Sequence, residues 1–301
     1  MALKRERIER GMYETKKVII ALVILIVILS GMSSLVGIFS DQPGNLTHAI
    51  SVHGERIELY GKGIYQLDSV SVAAQGIAND IMVLVLGIPL LLVACYLSIK
   101  GSFKGKLLLT GTLAFFLYTY MSYTFLWMYN ALFSVYVILM SASFFAFLLM
   151  MMSFDMPTMR THFSEKLPVK WIGGFQIFVA VCIGLLWMGK IVDGFQKGGI
   201  PVGLEHYTSL VVQGMDLAFV VPCAFMSGIL LIRKNNWGYL LSSVILLKGI
   251  TMLTALSAMI LNMALHDVKL GIVEVIMFPT FNIIAIITLI ILLKNIVKIK
   301  E

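Results

Sequence analysis

Four ionisable residues, Asp80, Asp216, Lys248 and Glu274, stand in stretches that are otherwise long and apolar. A charge near the middle of a bilayer costs roughly 3 to more than 10 kcal/mol, so each requires a partner or water. An acid and a base at such depth can hold an ion or a small polar solute. They can also move a proton, with a carboxyl titrating beside an alternating counter-charge. Asp80 falls in the outer part of its apolar stretch, Asp216 between the outer face and the middle, and Lys248 near the midplane. Glu274 lies at an outer end, where an interfacial position would also suit it.

The helical phase of their neighbours sharpens this reading. His206, Ser209, Gln213 and Asp216 recur every three or four residues, as do Asp68, Ser71, Gln75 and Asn79. A helix puts each set on one face, with Asp80 about 100° away from the second. Lys248, Thr251, Ala255, Ala258 and Asn262 make a narrow face of small and polar residues. Such faces turn toward other helices or a wet cavity rather than lipid. Tyr123, in phase with Thr112 and Thr119, is expected on a cavity wall. These residues predict a polar cavity between two halves, open outward, with Lys248 at its floor opposite Asp216 or Asp80. For Gln75, Gln213 and Asn79, hydrogen-bonded contact between helices is the competing role.

Other chemistries find little support. His48, His53, His206 and His266 share the outer side, yet no HExxH or close HxxxH pair occurs, and loop histidines are commonly solvated. Met150, Met151, Met152, Met156, Met159 and His162 offer soft ligands of the kind that suit Cu(I). With 19 methionines in the chain, adaptable packing explains them better. Cys95, Cys182 and Cys223 all lie inside apolar stretches without a CxxC pair. DxxD, GxGD and GxSG are missing too, so no metal, cofactor or catalytic set is expected.

The elements that position these groups follow from composition. The chain of 301 residues is 59% hydrophobic and 13% charged. Runs of 18 or more apolar residues read as transmembrane helices, and about 20 residues cross a core of roughly 30 Å. Eight spans are expected, near 18–39, 74–98, 107–127, 131–153, 171–190, 207–232, 237–263 and 271–293. The fold class is all-α, a polytopic transmembrane bundle. The net charge of +7 is an orientation signal and not a nucleic-acid surface. Lys4, Arg5, Arg7, Arg10, Lys16 and Lys17 open the basic side, and Lys100, Lys104, Lys106, Arg160, Lys166 and Lys170 continue it. Arg233, Lys234, Lys294, Lys298 and Lys300 complete it. The positive-inside rule then predicts both termini in the cytoplasm of a plasma (inner) membrane protein. The run from Val18 to Phe39 is too long for a signal peptide core, which predicts a retained anchor helix.

Ser71-Val-Ala-Ala-Gln75-Gly76 matches Ser209-Leu-Val-Val-Gln213-Gly214, and Gly105-Lys-Leu-Leu matches Gly238-Tyr-Leu-Leu. Each half also reaches a proline inside a span, Pro89 or Pro222. This predicts two parallel four-helix repeats, 18–153 and 171–293, flanked by cytoplasmic segments 1–17, 154–170 and 294–301. The outer loop 40–70 alternates Ile57 and Leu59 with charges, which predicts a short hairpin with Gly61 and Gly63 in its turn. Near Pro279, Asn282 is expected to satisfy a carbonyl freed by the kink.

Tyr60-Gly-Lys-Gly-Ile-Tyr-Gln-Leu-Asp68-Ser69, Leu204-Glu-His-Tyr-Thr-Ser209 and Asn235-Asn-Trp-Gly-Tyr-Leu-Leu241 resemble uncharacterised prokaryotic multi-pass membrane proteins. That resemblance implies no activity. The residues themselves point first to a small-solute or ion-coupled transporter. The alternatives are an accessory or sensor subunit binding a ligand or partner through its outer loop, and a lipid-modifying membrane enzyme. The partners implied are the bilayer, a small solute or ion and unspecified subunits.

Overall fold

A computed structural model describes residues 2–196 and 198–297, with side chains from residue 14 onward. Helix α1 spans Ala2–Phe39, and α2 (Val70–Met82) runs through a π turn at Val83–Gly87 into α3 (Ile88–Ile99). Then follow α4 (Phe103–Phe125), α5 (Phe133–Met152) and α6 (Val169–Gln196). α7 (Val211–Met215) continues through a π turn at Asp216–Val220 into α8 (Val221–Ile232), before α9 (Asn236–Leu265) and α10 (Ile272–Lys294). Seven of these rods are long and apolar enough to cross a membrane. The molecule thus has the helices of a multi-pass membrane protein.

The remaining rod, α4, is 23 residues long but too polar for that description. Its polarity points inward. Thr110, Thr112, Thr119, Tyr118, Tyr120 and Tyr123 are all buried. Thr110 and Thr112 donate back to the Lys106 and Leu108 carbonyls at 2.8 Å, so the hydroxyls demand nothing from lipid.

Helix α4 packs on α3, α5 and α9, and α5 returns to α1. Further on, α6 packs on α8, α8 on α9, and α9 on α10. Contact between the two groups runs mainly through α9, against α2 and α4. Gly111 makes the α4–α9 approach possible, since a Cβ there would stand 2.3 Å from Leu247 Cβ.

The α3–α4 and α8–α9 corners are built alike. Lys100 N–H donates to Tyr96 and Ser102 N–H to Leu97, as Arg233 does to Ile229 and Asn235 to Leu230. Gly101 (φ +80°) and Lys234 (φ +56°) occupy the left-handed position after each helix. Ser102 and Asn235 then cap the next helix with their side chains. Gly105 and Gly238 follow, where a Cβ would lie 2.4 Å from Leu97 and 2.3 Å from Leu230. In each rod a five-residue π turn ends two residues before the proline, Pro89 or Pro222. The Ile88 and Val221 amides reach back five residues, to Val83 and Asp216. That wider turn takes up the clash a proline ring makes with the carbonyl four residues earlier. All these pairs keep one constant offset along the chain. It differs from the frame that aligns Gln75 with Gln213, and it sets Asp80 opposite Gln213 and Val83 opposite Asp216.

Three local expectations are corrected. The outer hairpin pairs His48–Ile50 with Arg56–Glu58, and its turn is at Gly54 (φ +83°) rather than at Gly61 and Gly63. Gly63 (φ +60°) instead lets the chain pass Ser40, whose carbonyl oxygen a Cβ would approach to 2.1 Å. Asn282 bonds Thr254 of α9 at 3.0 Å instead of a carbonyl beside Pro279. The helix expected to carry His206 and Ser209 starts only at Val211, because the preceding loop is held against the head of α2.

That docking turns on Asp68, which is buried just before the α2 cap Ser69. Asp68 Oδ1 accepts from the Tyr207 hydroxyl at 2.9 Å and the Met128 amide at 3.0 Å. Ser69 Oγ donates to Glu205, and His206 Nε2 pairs with the Leu67 carbonyl at 3.0 Å. Burial pushes the Asp68 carboxyl up from 3.8 to about 7, against the pull of its two donors and with some repulsion from Glu205. The unfolded chain releases this proton near its ordinary value while the folded protein keeps it. Asp68 therefore costs stability increasingly as pH rises between about 4 and 7, and costs none below about 4. Asp68→Asn keeps the accepting oxygen and removes the charge. It should raise the unfolding temperature at about pH 8 and change little at about pH 4, read by thermal unfolding across pH.

Candidate functional site

A cavity of about 750 Å³ lies among α6, the α7–α8 rod, α9 and α10. It reaches from Val202, Lys269 and Gly271, in the loops after α6 and α9, down to Gln176 and Ala285. The opposite end, among the basic loops, is filled by Phe154, Met159, Phe163, Leu167 and Tyr239. Arg160 closes on Glu165 there at 2.9 Å. His162 stacks flat on Phe103 at 3.9 Å, Met150 and Met159 are core residues, and Met151 and Met156 pack against that core, while Met152 is exposed. Among the described residues no three His, Cys, Asp or Glu side chains converge as a metal site.

Partway down, above Gln176 and Ala285, a polar cluster forms the floor of the cavity's upper part. Asp216, the first residue of its π turn, accepts from Tyr118 of α4 at 2.7 Å through Oδ1 and from Trp187 of α6 at 2.9 Å through Oδ2. Lys248 of α9 is 7% exposed and sets its ammonium 3.8 Å from the centre of the Tyr118 ring. A cation over an aromatic face is stabilised by the ring quadrupole, more so out of water. No carboxylate of the described residues comes within 4.0 Å of that ammonium. Higher up, Gln75, Gln213 and Glu274 line the cavity with Lys190, Asp193 and Glu205. Gln75 is held by Ser71 at 3.3 Å, and Glu274 lies in the first turn of α10, where the helix dipole favours an acid.

Asp80, Asn79 and Tyr123 form a separate cluster in the core of the first group of helices. Asp80 accepts from Tyr65 at 2.6 Å and Tyr123 at 3.0 Å, and lies against Gly37 of α1, where a Cβ would be 1.9 Å from its carboxylate. Asn79 donates to the Tyr123 hydroxyl at 3.4 Å, and Tyr123 bonds the Gly76 carbonyl at 3.0 Å. None of the three lines the cavity, so Lys248 faces the surroundings of Asp216 and not those of Asp80. His206 sits in the docked loop, outside it.

Tyr118 and Trp187 complete the site and are not singled out by sequence. Their signal is chemical: a tyrosine hydroxyl or an indole N–H buried among apolar residues must find an acceptor. The cavity itself depends on Lys248 and Gly249. At the same offset that relates the two corners, Phe115 and Phe116 occupy these places in α4, and their rings fill the core against Gly87. In α9 nothing lies within 4 Å of a Cβ on Gly249, and Val220 of the cavity wall stands where Gly87 does.

The class these features define is a multi-pass helical membrane protein with a cavity inside its bundle. Beyond that class, comparison with known proteins finds no matching family model, no matching curated protein and no matching solved structure.

Proposed function

We propose that the protein is a small-solute transporter of the plasma (inner) membrane, with the cavity above Lys248 as its substrate site. The observation that carries this reading is a continuous cavity descending from the α6–α7 and α9–α10 loops to a half-buried acid and a buried base. A sensor working through its outer loop would have no use for a cavity of that depth. Eight spans complete the reading, with α4 as the inner one and the basic loops facing the cytoplasm. The matching corners and π turns support two four-helix repeats, and carriers are commonly built from repeats. In the first repeat the aromatic side chains seal the core, and in the second the cavity stays open. Asp216 and Lys248 serve as the polar contacts, and Gln75, Gln213 and Glu274 line the route to them.

Alternating access gives the test. In a variant lacking Cys95, Cys182 and Cys223, a cysteine at Gly249 should react with a membrane-impermeant maleimide added to either face of oriented vesicles. Labelling from the outer face alone would remove transport and leave a receptor.

A further inference from the structure

We infer that the cavity takes an organic anion with an apolar body, its acidic group seated on Lys248. This deepens the reading of the cavity as a substrate site and rests on it. The two floor charges differ in what they still need. Asp216 has each carboxylate oxygen engaged by a neutral donor, Tyr118 or Trp187. Lys248 has three N–H donors. Among the described residues none of them makes a hydrogen bond: the Tyr118 ring lies beneath the ammonium, and Asp216 acts on it only from beyond ion-pair distance. A buried, unpaired ammonium aimed into a cavity calls for an anion, because its hydrogen-bonding demand is unmet and water alone solvates it poorly there. A ligand ammonium would have to displace or share donors already seated on Asp216.

The walls define the rest of the ligand. Ile183, Met252, Leu253, Leu256 and Phe278 surround the space above this floor and offer no hydrogen bond, while Val179 lies below it beside Gln176. Gly249 widens the cavity beside Lys248, where Phe116 closes the equivalent space in α4. Charges of both signs return only near the mouth, at Lys190, Asp193, Glu205 and Glu274. A single acidic group on a hydrocarbon or aromatic body matches this distribution, and a polyanion or a sugar does not. Asp216 repels such an anion to some degree, and its two donors temper that charge.

Trp187 is a built-in reporter, since its indole lies at the floor. Protein in nanodiscs would be titrated with 6-bromododecanoate, 6-bromododecanol and 6-bromododecylamine, whose bromine stays on the head-group half of the chain, reading bromine quenching as the difference between wild type and Trp187→Phe. The expected result is saturable quenching by the acid alone, about ten- to hundredfold weaker in Lys248→Met, which loses one charge-assisted contact. Gly249→Phe should abolish it by filling the cavity as Phe116 does. If Lys248→Met fails to fold, the head-group series on the wild type decides. Equal quenching by all three compounds, stronger binding of the amine, or an unchanged affinity in folded Lys248→Met would overturn the inference. Adding 4-bromobenzoate separates sources: quenching by it points to acids arriving from water, and quenching by the long chain alone to acids delivered by the bilayer. Anion binding with Gly249→Cys labelled from one face would keep this inference while removing transport.

Discussion

Replacing Asp216 by alanine should lower the unfolding temperature sharply. The carboxylate accepts from Tyr118 on α4 and Trp187 on α6 while sitting on the α7–α8 rod, so it ties three rods together. Its removal strands two donors and leaves Lys248 without its nearest acid in a membrane interior. Breaking a fully buried charged cluster on one side costs about 3–5 kcal/mol, mostly from the partners left behind, and the half-buried Asp216 belongs at the lower end. Asp216→Asn keeps one accepting oxygen and should lose roughly half as much, about 2 kcal/mol. The double replacement Asp216→Ala with Lys248→Met removes the stranded cation as well. It should unfold at a higher temperature than Asp216→Ala alone, the non-additivity that marks two coupled groups. If the two losses simply add, Lys248 does not feel Asp216 and the floor is not one unit.

Much of the architecture is legible in the chain because hydropathy and helix length are tied to a fixed bilayer thickness. Most expected spans agree with the rods to within a few residues, while α1 starts at Ala2 and α6 runs on to Gln196, and Ser69, Ser102 and Asn235 set starts that hydropathy alone blurs. The charged residues are legible as well, since each is an expensive exception. Their grouping is not. Asp80 and Asp216 look equivalent along the chain, yet one is enclosed by Tyr65 and Tyr123 and the other opens on a cavity. That difference is set by volume at α9 positions 248 and 249 against Phe115 and Phe116, which becomes visible only in the frame the corners define. The outer loop eluded the chain for a related reason. Gly54, Gly61 and Gly63 all have positive φ, and only the pairing partners decide which one turns the hairpin. The spacing of His206 fits a helix, yet Tyr207 and Glu205 beside it are committed to Asp68 and Ser69.

The cavity also needs its outer wall held in place, and that depends on how closely α6 approaches α8. Gly173 and Gly228 meet backbone to backbone: a Cβ on Gly228 would stand 2.5 Å from the Gly173 carbonyl oxygen, and one on Gly173 2.6 Å from that of Gly228. Beside them, Gln176 of α6 accepts from Ser227 at 3.1 Å and Ser242 at 2.8 Å and donates to the Ser242 carbonyl at 3.0 Å, joining α6, α8 and α9. In lipid the hydrophobic effect does not drive helices together, so close contact and such hydrogen bonds carry the association. Gly228→Leu should therefore push the two rods apart, break the glutamine contacts and cost about 3 kcal/mol or more, and Gly228→Ala about 1–3 kcal/mol. Gly174→Ala and Gly249→Ala give the opposite expectation, because nothing lies within 4 Å of either added carbon. There alanine should gain up to about 1 kcal/mol from its helix preference. Thermal unfolding of the three alanine variants separates packing from propensity by sign: a Gly228→Ala protein as stable as Gly249→Ala would mean that the α6–α8 contact yields freely and does not hold the cavity wall.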